Sequence, residues 1–134
     1  MVWNVYARGP EDSGIVFSGR LTASDGGYAT QADVTSVTRY IVDANEASVI
    51  DTEVLDKTAV VFDSLSTSAP WDSTIDSTGW NFQDKISGTK FPSANADQGV
   101  KMQTYIVEYR FVMADGLDFT ARACEYETVK AYGS

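Results

Sequence analysis

Hydrophobic and polar residues alternate most cleanly between Thr104 and Met113. Tyr105, Val107, Tyr109, Phe111 and Met113 fall on one side of this run, and Thr104, Ile106, Glu108, Arg110 and Val112 on the other. That period of two predicts a strand with one face in a core. Ala114-Asp115-Gly116 follows, with residues that reach positive φ cheaply, and a second apolar-polar run extends from Leu117 to Tyr126. The two runs are therefore expected to pair as an antiparallel hairpin.

Upstream, Val2 to Arg8, Ile15 to Leu21, Val34 to Val42, Ser48 to Leu55, Thr58 to Phe62 and Trp80 to Ile86 read as further short strands, separated by clusters of Gly, Pro, Asp, Asn and Ser. In the last of these, Trp80, Phe82 and Ile86 lie opposite Asn81, Gln83 and Lys85. A helix competes for Ala44 to Asp56, but the apolar positions there do not keep a spacing of three and four, and β-branched residues dominate. The longest irregular stretch runs from Asp63 to Gly79, and a second long connection from Ser87 to Gln98 contains Phe91-Pro92. Seven to nine short strands, no helix longer than one turn and a C-terminal hairpin predict an all-β fold. The expected architecture is a two-layer antiparallel β-sandwich, immunoglobulin-like, with a jelly roll as the alternative. Residues 1–134 fit a single domain, with segment 1–24 read as an arm or an edge strand.

Composition narrows the chemistry. Ten Lys and Arg against 19 Asp and Glu give a net charge of −9, a field that repels DNA, RNA and anionic bilayers, so neither nucleic acid nor a membrane is an expected partner. There is no histidine, which removes the commonest general base and the Ser-His and Cys-His nucleophile pairs. Cys124 is the single cysteine and is followed by Glu125, so it reads as a small apolar strand residue and no intrachain disulfide is available. The start of the chain has no basic n-region with a long apolar core, and the expectation is a soluble protein made in a cytoplasm.

Glycoside hydrolysis needs a pair of carboxylates, and 19 acidic residues supply candidates, but solvation of the surface accounts for these acids better. No catalytic residue and no cofactor are assigned. Asp72 and Asp76, in Asp-Ser-Thr-Ile-Asp-Ser-Thr-Gly, are the candidate metal ligands, since carboxylates and hydroxyls on a loop suit calcium. The spacing is not that of an EF-hand, and turns closed by the aspartates weigh more. Trp3, Tyr6, Tyr28 and Trp71 are the candidate partner-binding residues. Trp71, after Pro70 in a polar loop, is the stronger interface candidate, although a loop tryptophan often folds back over a sandwich edge.

Gly27-Tyr28-Ala29-Thr30-Gln31-Ala32-Asp33-Val34, Val60-Val61-Phe62-Asp63-Ser64-Leu65, Asp76-Ser77-Thr78-Gly79-Trp80-Asn81-Phe82 and Tyr105-Ile106-Val107-Glu108-Tyr109 occur in that order. The series resembles small virion-associated β-sandwich proteins of tailed bacteriophages. The resemblance covers the middle and end of the chain, outside Met1 to Ser24. It implies a non-enzymatic structural protein of the virion, made in the host cytoplasm, with capsid or other virion proteins as partners and an oligomeric or lattice-bound state. A capsid decoration or cement protein is the first expectation, and a neck, tail or baseplate module the second. A carbohydrate-binding sandwich, stacking sugars on Trp71 and Tyr28, is the rival from another class.

Overall fold

The computed structural model describes the backbone of residues 2–7, 14–44, 46–91 and 102–129, and their side chains except at 2, 4–7, 102, 103 and 124–129. Among the described residues eight strands follow in order: β1 (Val2–Ala7), β2 (Ile15–Arg20), β3 (Val34–Asp43), β4 (Ser48–Leu55), β5 (Val61–Ser66), β6 (Trp80–Ile86), β7 (Met102–Met113) and β8 (Phe119–Val129). They form two antiparallel sheets, β1-β2-β6-β5 and β4-β3-β7-β8. This is the immunoglobulin arrangement, strands A, B, E and D facing C, F and G, with one further strand beside C. In a jelly roll most successive strands change sheet; here β1–β2, β3–β4, β5–β6 and β7–β8 are each paired within one. Among the described residues no helix is long and apolar enough to cross a membrane.

The segment from Thr58 to Phe62 departs from the expected strand. Asp56 accepts the Thr58 N–H and caps a single helical turn, α1 (Lys57–Val60), and only then does β5 begin. The Asp-x-Thr capping geometry wins locally over the β-branched composition. Since β5 runs to Ser66, the irregular stretch starts at Thr67 rather than at Asp63. Val2 to Ala7 is an edge strand, while Ile15 to Arg20 sits inside its sheet. The second connection lies outside the described residues beyond Phe91.

Alternation places the core. Tyr105, Val107, Tyr109, Phe111 and Met113 of β7 are all buried, facing Phe17, Phe82 and Ile86 of the other sheet. Tyr109 is the hub: its ring stacks on Trp3 at 5.5 Å and meets the edges of Phe82 and Phe17 at 5.1 and 6.1 Å. Rings at such distances contribute beyond the area they bury, and they stand where antibody domains carry an inter-sheet disulfide. Burial, with a smaller push from the Asp43 charge, raises the Tyr105 phenol to about 12. Trp80 is buried, but in a satellite cluster: it packs edge-on against Phe62 at 5.3 Å and its indole N–H donates to the Ser68 carbonyl.

A charged group crosses this core. Arg39 of β3 lies between inward-facing Val37 and Ile41, and Asp84 of β6 between Phe82 and Ile86; their side chains are 4% and 6% exposed. Arg39 Nη1 donates to Asp84 Oδ2 at 2.8 Å, and the Tyr109 hydroxyl donates to the same oxygen at 2.7 Å. Arg39 Nη2 bonds Glu53 on β4, with Asp51 at 4.0 Å. Burial works against the guanidinium charge, but the hydrogen bond and charge of Asp84 outweigh it and hold Arg39 above its ordinary value. The cluster ties the two layers together at one register.

Candidate functional site

Strand direction brings the ends of β2, β5 and β7 and the starts of β3, β6 and β8 to one end of the sandwich. The loops there are 21–33, 67–79 and 114–118, with the turn 56–60 beside them. They hold seven aspartates against one lysine, Lys57, which looks like a cation site until each carboxylate is followed to its partner.

Every one of the seven accepts a backbone N–H. Asp25 takes Gly27 at 2.9 Å, Asp56 takes Thr58 at 3.0 Å, Asp72 takes Thr74 at 3.0 Å, Asp76 takes Thr78 at 2.9 Å and Asp115 takes Leu117 at 2.9 Å. These five share one device, a carboxylate bonded to the amide two residues on, which closes a turn without secondary structure. Asp33 reaches back to Thr30 at 2.9 Å, and Asp118 to Met113 at 2.8 Å. Hydrogen bonding favours the ionised form, so several stay below the usual carboxylate range. For Asp56 and Asp72 the first cause is the hydroxyl of Thr58 or Thr74, for Asp76 the Arg20 guanidinium, and for Asp115 the Leu117 N–H.

The loops are also tied to one another. Ser24 Oγ donates to Asp115 at 2.7 Å and the Ala114 N–H to the Asp33 carbonyl at 2.9 Å, joining 21–33 to 114–118. Lys57 Nζ donates to the carbonyls of Gln31 and Val34 at 3.0 and 2.7 Å. Asn81, fully buried, donates to the carbonyls of Leu21 and Ala29 and accepts the Leu21 N–H at 2.6 Å, so loop 21–33 hangs from β6. Between Asp25, Asp33 and Asp115 lies an open depression of about 380 Å³. Each of the three loops leaves one large apolar side chain exposed: Tyr28 on 21–33, Ile75, to 80%, on 67–79, and Leu117 on 114–118.

The expected site residues divide accordingly. Tyr28 is exposed on loop 21–33. Trp71 is only 5% exposed and its indole N–H donates to the Asp76 carbonyl at 2.7 Å, so it folds the loop rather than offering a surface. Trp3, partly buried, packs against the core on Tyr109, Phe17 and Phe82. Tyr6 is placed only by its backbone, opposite Val16, and its side chain lies outside the described residues, as does that of Cys124. Of the candidate metal ligands, Asp76 has both oxygens bonded by Arg20 Nη1 at 2.8 and 2.9 Å, and Asp72 accepts the N–H and hydroxyl of Thr74, the turn geometry that the sequence favours over calcium. Among the described residues no three acidic or thiol side chains are grouped to hold a metal. The sequence reading favours aspartate-closed turns at Asp72 and Asp76 and misses Leu117, Ile75 and the recurrence of the same device, although Asp-x-Thr repeats at Asp56, Asp72 and Asp76. In comparisons with family models, curated proteins and solved structures, the chain matched none.

Proposed function

We propose that this protein is a non-enzymatic docking module that binds other proteins through the loop end of the sandwich. The observation that carries the reading is that Tyr28, Ile75 and Leu117, one on each of the three loops, are exposed apolar side chains held on loops that seven aspartates and several cross-loop bonds have already ordered. Preordered loops lose little entropy on binding, and apolar anchors in an acidic surround suit a partner surface with apolar hollows and basic residues. The assembly it serves is the virion of a tailed phage, with capsid decoration as the first assignment and a neck, tail or baseplate position as the second. A decoration protein of this kind stabilises the assembled shell because it binds the lattice and not the free subunit. Sugar stacking loses half of its platform with Trp71 buried, and it is not favoured.

Particles purified with and without the gene test the assignment. The protein is expected in many copies on wild-type particles. The pair Ile75→Asp and Leu117→Asp, at positions whose side chains face water, is expected to leave the melting temperature unchanged and abolish retention on particles. Its absence from particles ends the virion assignment, and full retention of the double variant ends the loop-end one.

A further inference from the structure

The strands do not share the core equally. β2, β3, β5, β6 and β7 each place at least one side chain wholly inside: Phe17, Val37, Val61, Phe82 and Tyr109. Six of the eight side chains of β4 are exposed instead, and the other two, Asp51 and Leu55, are half-buried. Its apolar members Val49, Ile50 and Val54 face water, Val54 to 73%, and of this strand only Leu55 packs against the core. Since β4 is an edge strand, one ladder, to β3, holds its backbone. A bulge at Ile50 interrupts that ladder, where Ile41 pairs with Asp51 but Val42 with Val49. What fastens the middle of the strand is charge: Arg39 Nη2 bonds Glu53 and lies 4.0 Å from Asp51, whose other oxygen is 3.4 Å from Lys90 Nζ. The chain on either side of β4 is anchored elsewhere. Before it, the Ala44 N–H donates to the Thr104 carbonyl of β7 at 3.0 Å; after it, Asp56 caps α1, and Lys57 is bonded to the carbonyls of Gln31 and Val34.

We propose that β4 is a latched strand, which opens and closes as a unit on a sandwich that stays shut, with Arg39 as the latch. A segment that buries little apolar surface opens locally at a fraction of the cost of global unfolding. The two anchors set the hinges, Ala44 on one side and Asp56 on the other, and neither bond has to break for β4 to swing away. Arg39 stays behind, because its Nη1 bond to Asp84 on the opposite sheet holds the guanidinium in the core. The latch therefore has a fixed half and a moving half. The moving half is Glu53 with Asp51, and each opening takes these carboxylates from the guanidinium into water and bares the edge of β3.

Amide hydrogen exchange of the full chain, read residue by residue by NMR, tests this independently of any virion. The β4 amides bonded to β3 are expected to exchange as one group, at least about a hundredfold faster than those of Val107, Tyr109 and Phe111 in β7. Glu53→Gln, at a position 47% exposed, removes the latch charge without disturbing the core. It is expected to speed the β4 group about threefold or more and to leave the β7 amides unchanged. Exchange of β4 only together with β7 overturns the proposal, as does a Glu53→Gln variant that fails to speed β4 more than β7.

Discussion

Asp84→Asn removes one charge from the core without changing the shape of the side chain, so its cost reports on the ionic contact rather than on a cavity. Arg39 would remain 4% exposed, and its Nε has no hydrogen-bond partner among the described residues. Breaking a buried pair by removing one member costs about 3–5 kcal/mol. Glu53 and Asp51 still approach Nη2 from the edge strand, which places the expected loss near the lower limit, about 3 kcal/mol. For a domain of this size that is a fall in melting temperature of roughly 10 °C, or a urea midpoint lower by about 1.5 M. Replacing the buried group by apolar residues, Arg39→Met with Asp84→Leu and Tyr109→Phe, is expected to stay within about 1 kcal/mol of wild type, because no charge is left in the core: Glu53 is 47% exposed to water and Asp51 keeps Lys90. Urea unfolding followed by tryptophan fluorescence, with calorimetry alongside, measures both. A loss under about 1 kcal/mol for Asp84→Asn, the size of an exposed ion pair, would refute the claim that this contact is a desolvated tie between the sheets.

Two further outcomes follow from the loop end. Gly79 has a φ of +100°, and a Cβ there would stand 2.4 Å from the Ser66 carbonyl oxygen; Gly79→Ala is expected to cost about 2–4 kcal/mol in thermal unfolding, and a neutral result would show that the turn before β6 can shift. Asp56, Asp72, Asp76 and Asp115 have folded-state values below their unfolded ones, so the stabilisation they give is present above the unfolded value near about 3.9 and is lost as pH falls through the folded values. Amide exchange at Thr58, Thr74, Thr78 and Leu117 is expected to lose protection below about pH 4, ahead of β7; uniform protection down to global unfolding would count against turns held by ionised carboxylates.

The sheets were readable in the sequence because their inward positions are overwhelmingly apolar, and β7 alone displays five such positions in a row. Arg39 and Asp84 were not, because a charged residue in an alternating run is ordinarily assigned to the solvent side. The signal was present: each occupies the parity of its strand's core residues, Val37-Arg39-Ile41 and Phe82-Asp84-Ile86, and their charges are opposite. Two such exceptions in different strands point to each other. Trp71 was hidden for another reason. Its burial depends on how the loop folds back over β2 and β6, which is set by Arg20, more than fifty positions earlier in the chain, and no local pattern encodes that.

The strand order also governs how the chain assembles in time. The neighbours that sequence places side by side are hairpins, but the seams that make each sheet continuous, β2 with β6 and β3 with β7, join residues about 60–80 positions apart. Early hairpins have nothing to bury against until those seams close, so folding is slow for the size of the chain, in milliseconds to seconds. Since β7 supplies half of the second seam, a ribosome must have released the chain past Met113 before the two sheets can close on one another.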